Sequence, residues 1–163
     1  MNVEQTELKP GTLIPDFHLV SAGGGCVHPS GYHDRKNLVL LFAGNLVDDE
    51  LTRRFLLDLA RHYPELVQEN AEVLAVIRGS EQDAGQIKDK AGFPFPVLAD
   101  TEGKAHLAAG ASIAPGGRPY PAVFITDRFN EISAIYRTSQ GEPLPTIREI
   151  LSHLLFIETQ CPE

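Results

Sequence analysis

The sequence predicts an α/β fold, in which a central mixed β-sheet carries helices on both faces and an N-terminal β-hairpin precedes its central strands. Three observations support this prediction. Short aliphatic and β-branched runs recur along the chain, separated by stretches with helical periodicity. Three of these runs are continuously apolar, which is typical of strands covered on both faces. The 163 residues are also enough to bury a core, so we expect a single domain over residues 1–163.

Four apolar runs are the candidate strands of the sheet, and the first three are its predicted centre. They span residues 38–42, 73–77, 122–126 and 132–136. The last two are separated by a mainly polar turn in which Asn130 can adopt the left-handed conformation, so they predict an antiparallel hairpin with an edge strand. The strand–helix–strand units place their two strands in parallel, whereas the hairpin strands are antiparallel, so we expect a mixed sheet. Residues 17–20 and 26–28 predict the small N-terminal hairpin.

Three stretches have the periodicity and the capping residues of helices. The predicted helices run over about 48–62, over about 80–91 and from 146 onward. One-sided apolar spacing supports the first and the last of them. The second and third begin with the spacing of a capping box, Ser80 with Asp83 and Thr146 with Glu149.

Composition and charge exclude several classes of protein. The net charge is −8 and no Lys/Arg-rich run occurs, which argues against a nucleic-acid partner. Residues 1–11 are polar and no apolar run approaches 18 residues, so we expect a cytoplasmic chain without a membrane partner. The glycine clusters at 23–25 and 116–117 lack the context of a phosphate-binding loop, and no cofactor is expected.

The two cysteines, with nearby histidines, are the candidates for redox or metal chemistry. Cys26 and Cys161 have no CxxC partner, which excludes a zinc ribbon and a disulfide framework and leaves a bridge between them open. Lone cysteines often behave as small hydrophobic residues, and we favour that interpretation for Cys26. Cys26 and Asp34 lie near His28 and His33, as in a loose ligand set, but ordinary loop residues explain this grouping better, and no metal is expected.

Four segments resemble a known family in their order and spacing. They are a glycine followed by Pro-Asp-Phe at 11–17, the strand at 38–42, the stretch 93–103 with its Phe-Pro, Asp100 and Gly103, and the segment 120–132 with Pro121. Together they resemble the thioredoxin-like superfamily and, within it, the peroxiredoxin (alkyl hydroperoxide reductase/thiol-specific antioxidant, or redoxin) family. The resemblance runs from about residue 8 to 156 and implies a thioredoxin-like three-layer fold with antioxidant oxidoreductase ancestry.

The resemblance also implies where an active site belongs. In the family a reactive cysteine follows the first central strand in a Pro-x-x-x-Thr-x-x-Cys pattern, helped by an arginine. Counting along this chain puts Gly44 at the proline, Asp48 at the threonine and Leu51 at the cysteine. Arg118 is displaced from the arginine position, and Pro121 matches the superfamily's cis-proline. Because reduction of a peroxide needs a thiolate that can become a sulfenic acid, we expect no catalytic residue here.

The residues around that position define a vestigial active-site region. Its members are Gly44, Asn45, Asp48, Glu50, Leu51, Tyr120 and Pro121. The acids Asp48, Asp49 and Glu50 are better explained as helix-capping residues than as an acid/base or metal cluster. The sequence therefore favours a redoxin-fold protein that has lost its active thiol and serves as a binding or regulatory module. The cis-proline pocket is the expected site for a peptide or protein partner.

The sequence leaves an alternative function and the oligomeric state open. The alternative function is a thiol-dependent peroxidase that acts through Cys26, alone or with Cys161. A resolving role for Cys161 requires a peroxidatic cysteine with which it can form a disulfide, and the family's position for that cysteine holds Leu51. A homodimer through an edge strand or through the exposed face of the 48–62 helix is compatible with the sequence, which does not choose between these surfaces.

Overall fold

A computed structural model of the protein describes residues 8–45, 49–111, 121–138 and 141–160. Within these residues, the chain forms seven strands and five α-helices. The strands are β1 (Leu19–Ser21), β2 (Cys26–Val27), β3 (Asn37–Gly44), β4 (Ala71–Ile77), β5 (Val97–Ala99), β6 (Ala122–Thr126) and β7 (Ile132–Arg137). The α-helices are α1 (Glu50–Arg61), α2 (Tyr63–Gln68), α3 (Glu81–Ala91), α4 (Lys104–Ala108) and α5 (Ile147–Gln160). A short 3₁₀ turn, Pro29–Tyr32, follows β2.

The strands form one mixed sheet in the order β2-β1-β5-β4-β3-β6-β7. The β3–β4 and β4–β5 pairs are parallel, and the other pairs are antiparallel. The three continuously apolar runs became β3, β4 and β6, each with a neighbour on both sides, and β7 lies at an edge. The predicted centre and edge of the sheet are therefore confirmed. Strand β5 was not predicted, because a three-residue strand is too short to show a period.

Alternating side chains of the central strands supply two apolar cores, one on each face of the sheet. Val39 and Leu41 face a core built with α1, α2, α3 and α5. Leu38, Leu40 and Phe42 face the opposite core, which α4 and the segment before β1 cover. Helices therefore lie on both faces, as the sequence predicts. Among the described residues, no helix has the length and apolar character needed to cross a bilayer.

The predicted helix starts agree with the hydrogen bonds seen at the helix ends. Ser80 and Asp83 form a complete capping box at the start of α3. The Thr146 hydroxyl accepts a hydrogen bond from the backbone N–H of Glu149 at 3.1 Å, at the start of α5. Helices α2 and α4 were not predicted, since segments of six and five residues give too little periodicity.

Both predicted hairpins are confirmed. Asn130 has φ +65°, the left-handed conformation expected of it between β6 and β7. The Asp127 carboxylate stabilises that turn by accepting hydrogen bonds from the backbone N–H groups of Phe129 (2.8 Å) and Glu131 (3.0 Å). In the β1–β2 turn, all three glycines of 23–25 have φ between +85° and +96°. Side chains rarely tolerate that backbone conformation, which explains three successive glycines.

Candidate functional site

The junction between β3 and α1 is the part of the chain where the resemblance places an active site. Gly44 ends β3 with φ +60°, and α1 begins six residues later. Asp49 caps this helix: its carboxylate accepts hydrogen bonds from the backbone N–H of Leu51 at 3.1 Å and from the hydroxyl of Thr52. Glu50 forms an ion pair with Arg54 at 3.3 Å, one helical turn on. The capping role predicted for these acids is confirmed for Asp49, whereas Asp48 lies outside the described residues.

A cavity of 730 Å³ opens beside the first turn of α1. Its apolar lining comes from Leu51, Phe55, Pro121, Pro143, Leu144, Pro145 and Ile147. Charged side chains also line it, namely Asp49, Arg54, Asp58 and Glu142. Leu51 is 69% exposed, a high value for a leucine on a helix. The cavity thus presents apolar surface together with charges of both signs.

The structure brings only some of the predicted site residues together. Leu51 and Pro121 line the same cavity, although they come from different parts of the chain. Gly44 and Asn45 instead line a smaller hollow of 320 Å³ beside α3. Tyr120 lies outside the described residues, and so does the peptide bond that joins it to Pro121. The cis-proline therefore stays a prediction.

A buried Asp–His pair, which the sequence did not predict, lies directly beneath this junction. The backbone N–H of Gly44 donates to His106 Nε2 at 2.9 Å. Because Nε2 accepts this bond, the proton of the neutral imidazole is on Nδ1, which donates to Asp100 Oδ2 at 2.7 Å. The His106 and Asp100 side chains are 0% and 3% exposed.

Asp100 also receives backbone hydrogen bonds from the start of α4. The N–H groups of Ala105 (3.2 Å) and His106 (2.8 Å) donate to its two carboxylate oxygens. Burial raises the pKa of Asp100, but the hydrogen bonds from the His106 side chain and from these two backbone groups lower it by more, so the net pKa is below its usual range. The pair holds an ionised carboxylate inside the protein and fixes the end of β3 to α4.

Cys26 lies far from this junction. It is exposed and lies on β2, at the opposite edge of the sheet from β7. Five strand spacings separate β2 from β6, which Pro121 precedes, and this corresponds to about 24 Å across the sheet. Cys161 lies outside the described residues. The structure therefore does not bring Cys26 to the cavity beside α1.

The histidine grouping also differs from the loose ligand set noted in the sequence. His28 lies with Asp16 and His18, and one ligand atom from each lies within 4.8 Å of the others. His33 instead pairs with its chain neighbour Asp34 at 3.4 Å. Antiparallel pairing of β1 with β2 produces this grouping, which proximity along the chain could not reveal.

The sheet order, the parallel β3–α1–β4 unit and the late β6–β7 hairpin define a thioredoxin-like fold of the peroxiredoxin type. Residues 10–135 match the model of the AhpC/TSA family, and the chain belongs to that family.

Relatives and solved structures agree with this assignment. The chain is 28% identical over 137 residues to alkyl hydroperoxide reductase E of Mycobacterium tuberculosis and of Mycobacterium bovis, covering 83% of this chain and 89% of theirs. Peroxidoxin BcpB of M. tuberculosis has a TM-score of 0.77 at 14% identity, over 96% of this chain and 100% of its own. PrxQ of Xylella fastidiosa has a TM-score of 0.76 at 19% identity, over 95% and 98% of the two chains. At these identities the two solved structures establish the fold.

Proposed function

We propose that this member of the AhpC/TSA family is a binding module that works without the family's thiol chemistry, with the cavity beside α1 as its ligand site. One observation carries the proposal. Leu51, at the position where the family's pattern implies the reactive cysteine, is an exposed alkyl side chain that lines this cavity together with Pro121. An alkyl group cannot attack a peroxide oxygen, but it can bury apolar surface of a ligand.

The position of Cys26 supports the same proposal. Cys26 lies about 24 Å across the sheet from β6. Pro121, which lines the cavity, directly precedes that strand. Cys26 therefore offers no thiol to a peroxide bound beside Leu51.

The lining of the cavity indicates the chemistry of the ligand. Leucine, phenylalanine, isoleucine and proline side chains supply apolar contact area, and three acids and a base around them supply directional contacts. A segment of extended peptide with apolar side chains and polar backbone suits this combination. A partner peptide or a protein segment of that kind is therefore the proposed ligand.

Leu51→Asp is expected to weaken peptide binding by about tenfold or more, because burial of a leucine side chain contributes about 1.5–3 kcal/mol. Peptides with alternating apolar residues are selected from a displayed library on the full-length protein, and their affinities are then measured by fluorescence anisotropy. Leu107→Asp is the matched control, since Leu107 is also an exposed leucine on a helix but lies on α4, away from the cavity. Equal losses in the two variants, or no enriched peptide, would contradict the proposal.

The reduced protein is expected to consume no more peroxide than its thiols can take up stoichiometrically. Turnover requires a thiolate that attacks the peroxide oxygen, releases an alcohol or water and becomes a sulfenic acid. The test mixes the protein with hydrogen peroxide and with an alkyl hydroperoxide, and follows peroxide, free thiols and intact mass. Rapid sulfenic acid or disulfide formation that Cys26→Ser abolishes would support the thiol-dependent alternative instead.

A further inference from the structure

A cluster of two histidines and an aspartate lies at the β1–β2 hairpin, at the edge of the sheet that is remote from Pro121 and the proposed ligand site. The register pairs Leu19 with Val27, so the preceding His18 lies opposite the following His28. Their imidazole rings stack with centroids 4.4 Å apart and an angle of 22° between the planes. Asp16 Oδ2 lies 3.4 Å from His18 Nε2, and Asp16 Oδ1 lies 3.9 Å from His28 Nδ1.

Ser30 holds the carboxylate of Asp16 in place. Its backbone N–H donates to Oδ1 at 2.8 Å and its hydroxyl donates to Oδ2 at 2.9 Å. Burial raises the pKa of Asp16, but the hydrogen bonds from Ser30 and the nearby histidines His18 and His28 lower it by more, so the net pKa is below its usual range. The Ser30 oxygen also lies 2.7 Å from His28 Nδ1. Groups that orient metal ligands through hydrogen bonds make such a site more effective.

We propose that Asp16, His18 and His28 form a binding site for a divalent transition-metal ion, with Zn²⁺ as the best-suited ion. Two imidazole nitrogens and one carboxylate oxygen are a common zinc ligand set, which leaves a fourth position for water. In a tetrahedral site with bonds of about 2.0–2.1 Å, the ligand atoms lie about 3.4 Å apart. The His18–Asp16 separation already has this value.

Small side-chain rotations complete the site. One ligand atom from each of the three residues lies within 4.8 Å of the others, so closing to tetrahedral spacing requires a shift of about 1.4 Å at most for any pair. The rings are stacked rather than convergent, and each must turn to point a nitrogen lone pair at the ion. Both histidines and Asp16 are at least a third exposed, so this rotation meets little packing resistance.

A bound ion would link three parts of the chain. Asp16 belongs to the segment that precedes β1, His18 directly precedes that strand, and His28 directly follows β2. An ion that binds the folded state but not the unfolded one stabilises the protein by mass action. The site therefore couples metal availability to the stability of the hairpin edge of the sheet, independently of the ligand cavity.

Isothermal titration with ZnCl₂ tests the proposal on the full chain with Cys26→Ser and Cys161→Ser, so that no thiol can bind the metal. We expect one Zn²⁺ per chain, and at least about tenfold weaker binding in the His18→Ala and His28→Ala variants. His33→Ala is the matched control, because His33 is another exposed histidine that lies 3.4 Å from a single carboxylate, Asp34, and we expect it to leave binding unchanged.

A second measurement separates coordination from loose surface binding. Co²⁺ is expected to give the visible absorption of a four-coordinate site in the thiol-free protein, and the combined His18→Ala/His28→Ala variant is expected to lose that absorption. All three histidines are exposed or half-exposed, and circular dichroism checks that the variants stay folded. Absence of saturable Zn²⁺ binding, or an equal effect of His33→Ala, would overturn the proposal.

Discussion

Replacing His106 by alanine is expected to lower the free energy of unfolding by about 3–5 kcal/mol, measured by urea denaturation at neutral pH. Three costs add together in this variant. The buried Asp100 carboxylate loses a hydrogen-bond donor, the N–H of Gly44 loses its acceptor, and a cavity replaces the fully buried imidazole. A buried polar group without a partner is more costly than an exposed one, because water cannot replace the missing bond.

His62→Ala is the matched control for this prediction. His62 also pairs with a carboxylate, Glu65 at 3.0 Å, but both side chains are more than a third exposed. Exposed ion pairs contribute about 0–1 kcal/mol, so a loss of unfolding free energy of that size is expected for His62→Ala.

A double variant tests whether Asp100 and His106 act as a pair. The combined Asp100→Asn/His106→Ala variant is expected to lose less unfolding free energy than the sum of the losses in the two single variants, because both substitutions break the same pair. A loss below about 1 kcal/mol for His106→Ala would show that the pair does not stabilise the fold.

Phe42→Ala is expected to destabilise the protein by a similar amount, about 3–5 kcal/mol. The Phe42 ring is fully buried at the centre of the core on the α4 side of the sheet. It makes edge contacts with Phe17, Phe124 and His106, with ring centroids 5.7, 5.6 and 5.5 Å away. Truncation removes the transfer free energy of the ring and three aromatic contacts, and the rigid strand cannot close the cavity.

Two further variants test the physical reason for that loss. Phe42→Leu retains much of the buried volume and is expected to cost less than Phe42→Ala. Phe156→Ala removes a ring that is 58% exposed on α5 and is expected to change stability by less than about 1 kcal/mol. The shift of the urea denaturation midpoint, at constant m-value, gives the change in the free energy of unfolding for each of the three variants. Equal losses for Phe42→Ala and Phe156→Ala would be incompatible with this description of the core.

The sequence predicts the centre of the fold well because burial leaves a strong local pattern there. Strands covered on both faces are apolar at every position, as in β3, where all eight residues are buried. Capping residues such as Ser80 predict helix starts through bonds within one turn of chain. Short elements such as β5 and α2 escape detection, since tertiary contacts rather than local pattern stabilise them.

The sequence likewise identified some residues of the candidate site and not others. Leu51 and Pro121 could be identified because their positions are counted from strands that the sequence reveals. The pairing of Asp100 with His106, and of both with the end of β3, depends on how α4 packs under the sheet, and no spacing rule encodes that contact. His18 was likewise missed as a neighbour of His28, because strand register, not separation along the chain, brings them together.

Residues that precede β1 complete one of the two cores of the sheet. In the part of the chain that the structure describes, four helices cover one face, whereas the other is covered by the five-residue α4 and by residues before β1, including the buried Leu8 and Ile14. Those residues complete a core whose other members, such as Phe42, lie in the middle of the sheet. Residues 8–18 are therefore part of the folded core on this face of the sheet. A truncated version that begins at β1 would leave apolar surface of the sheet open to water and to other chains.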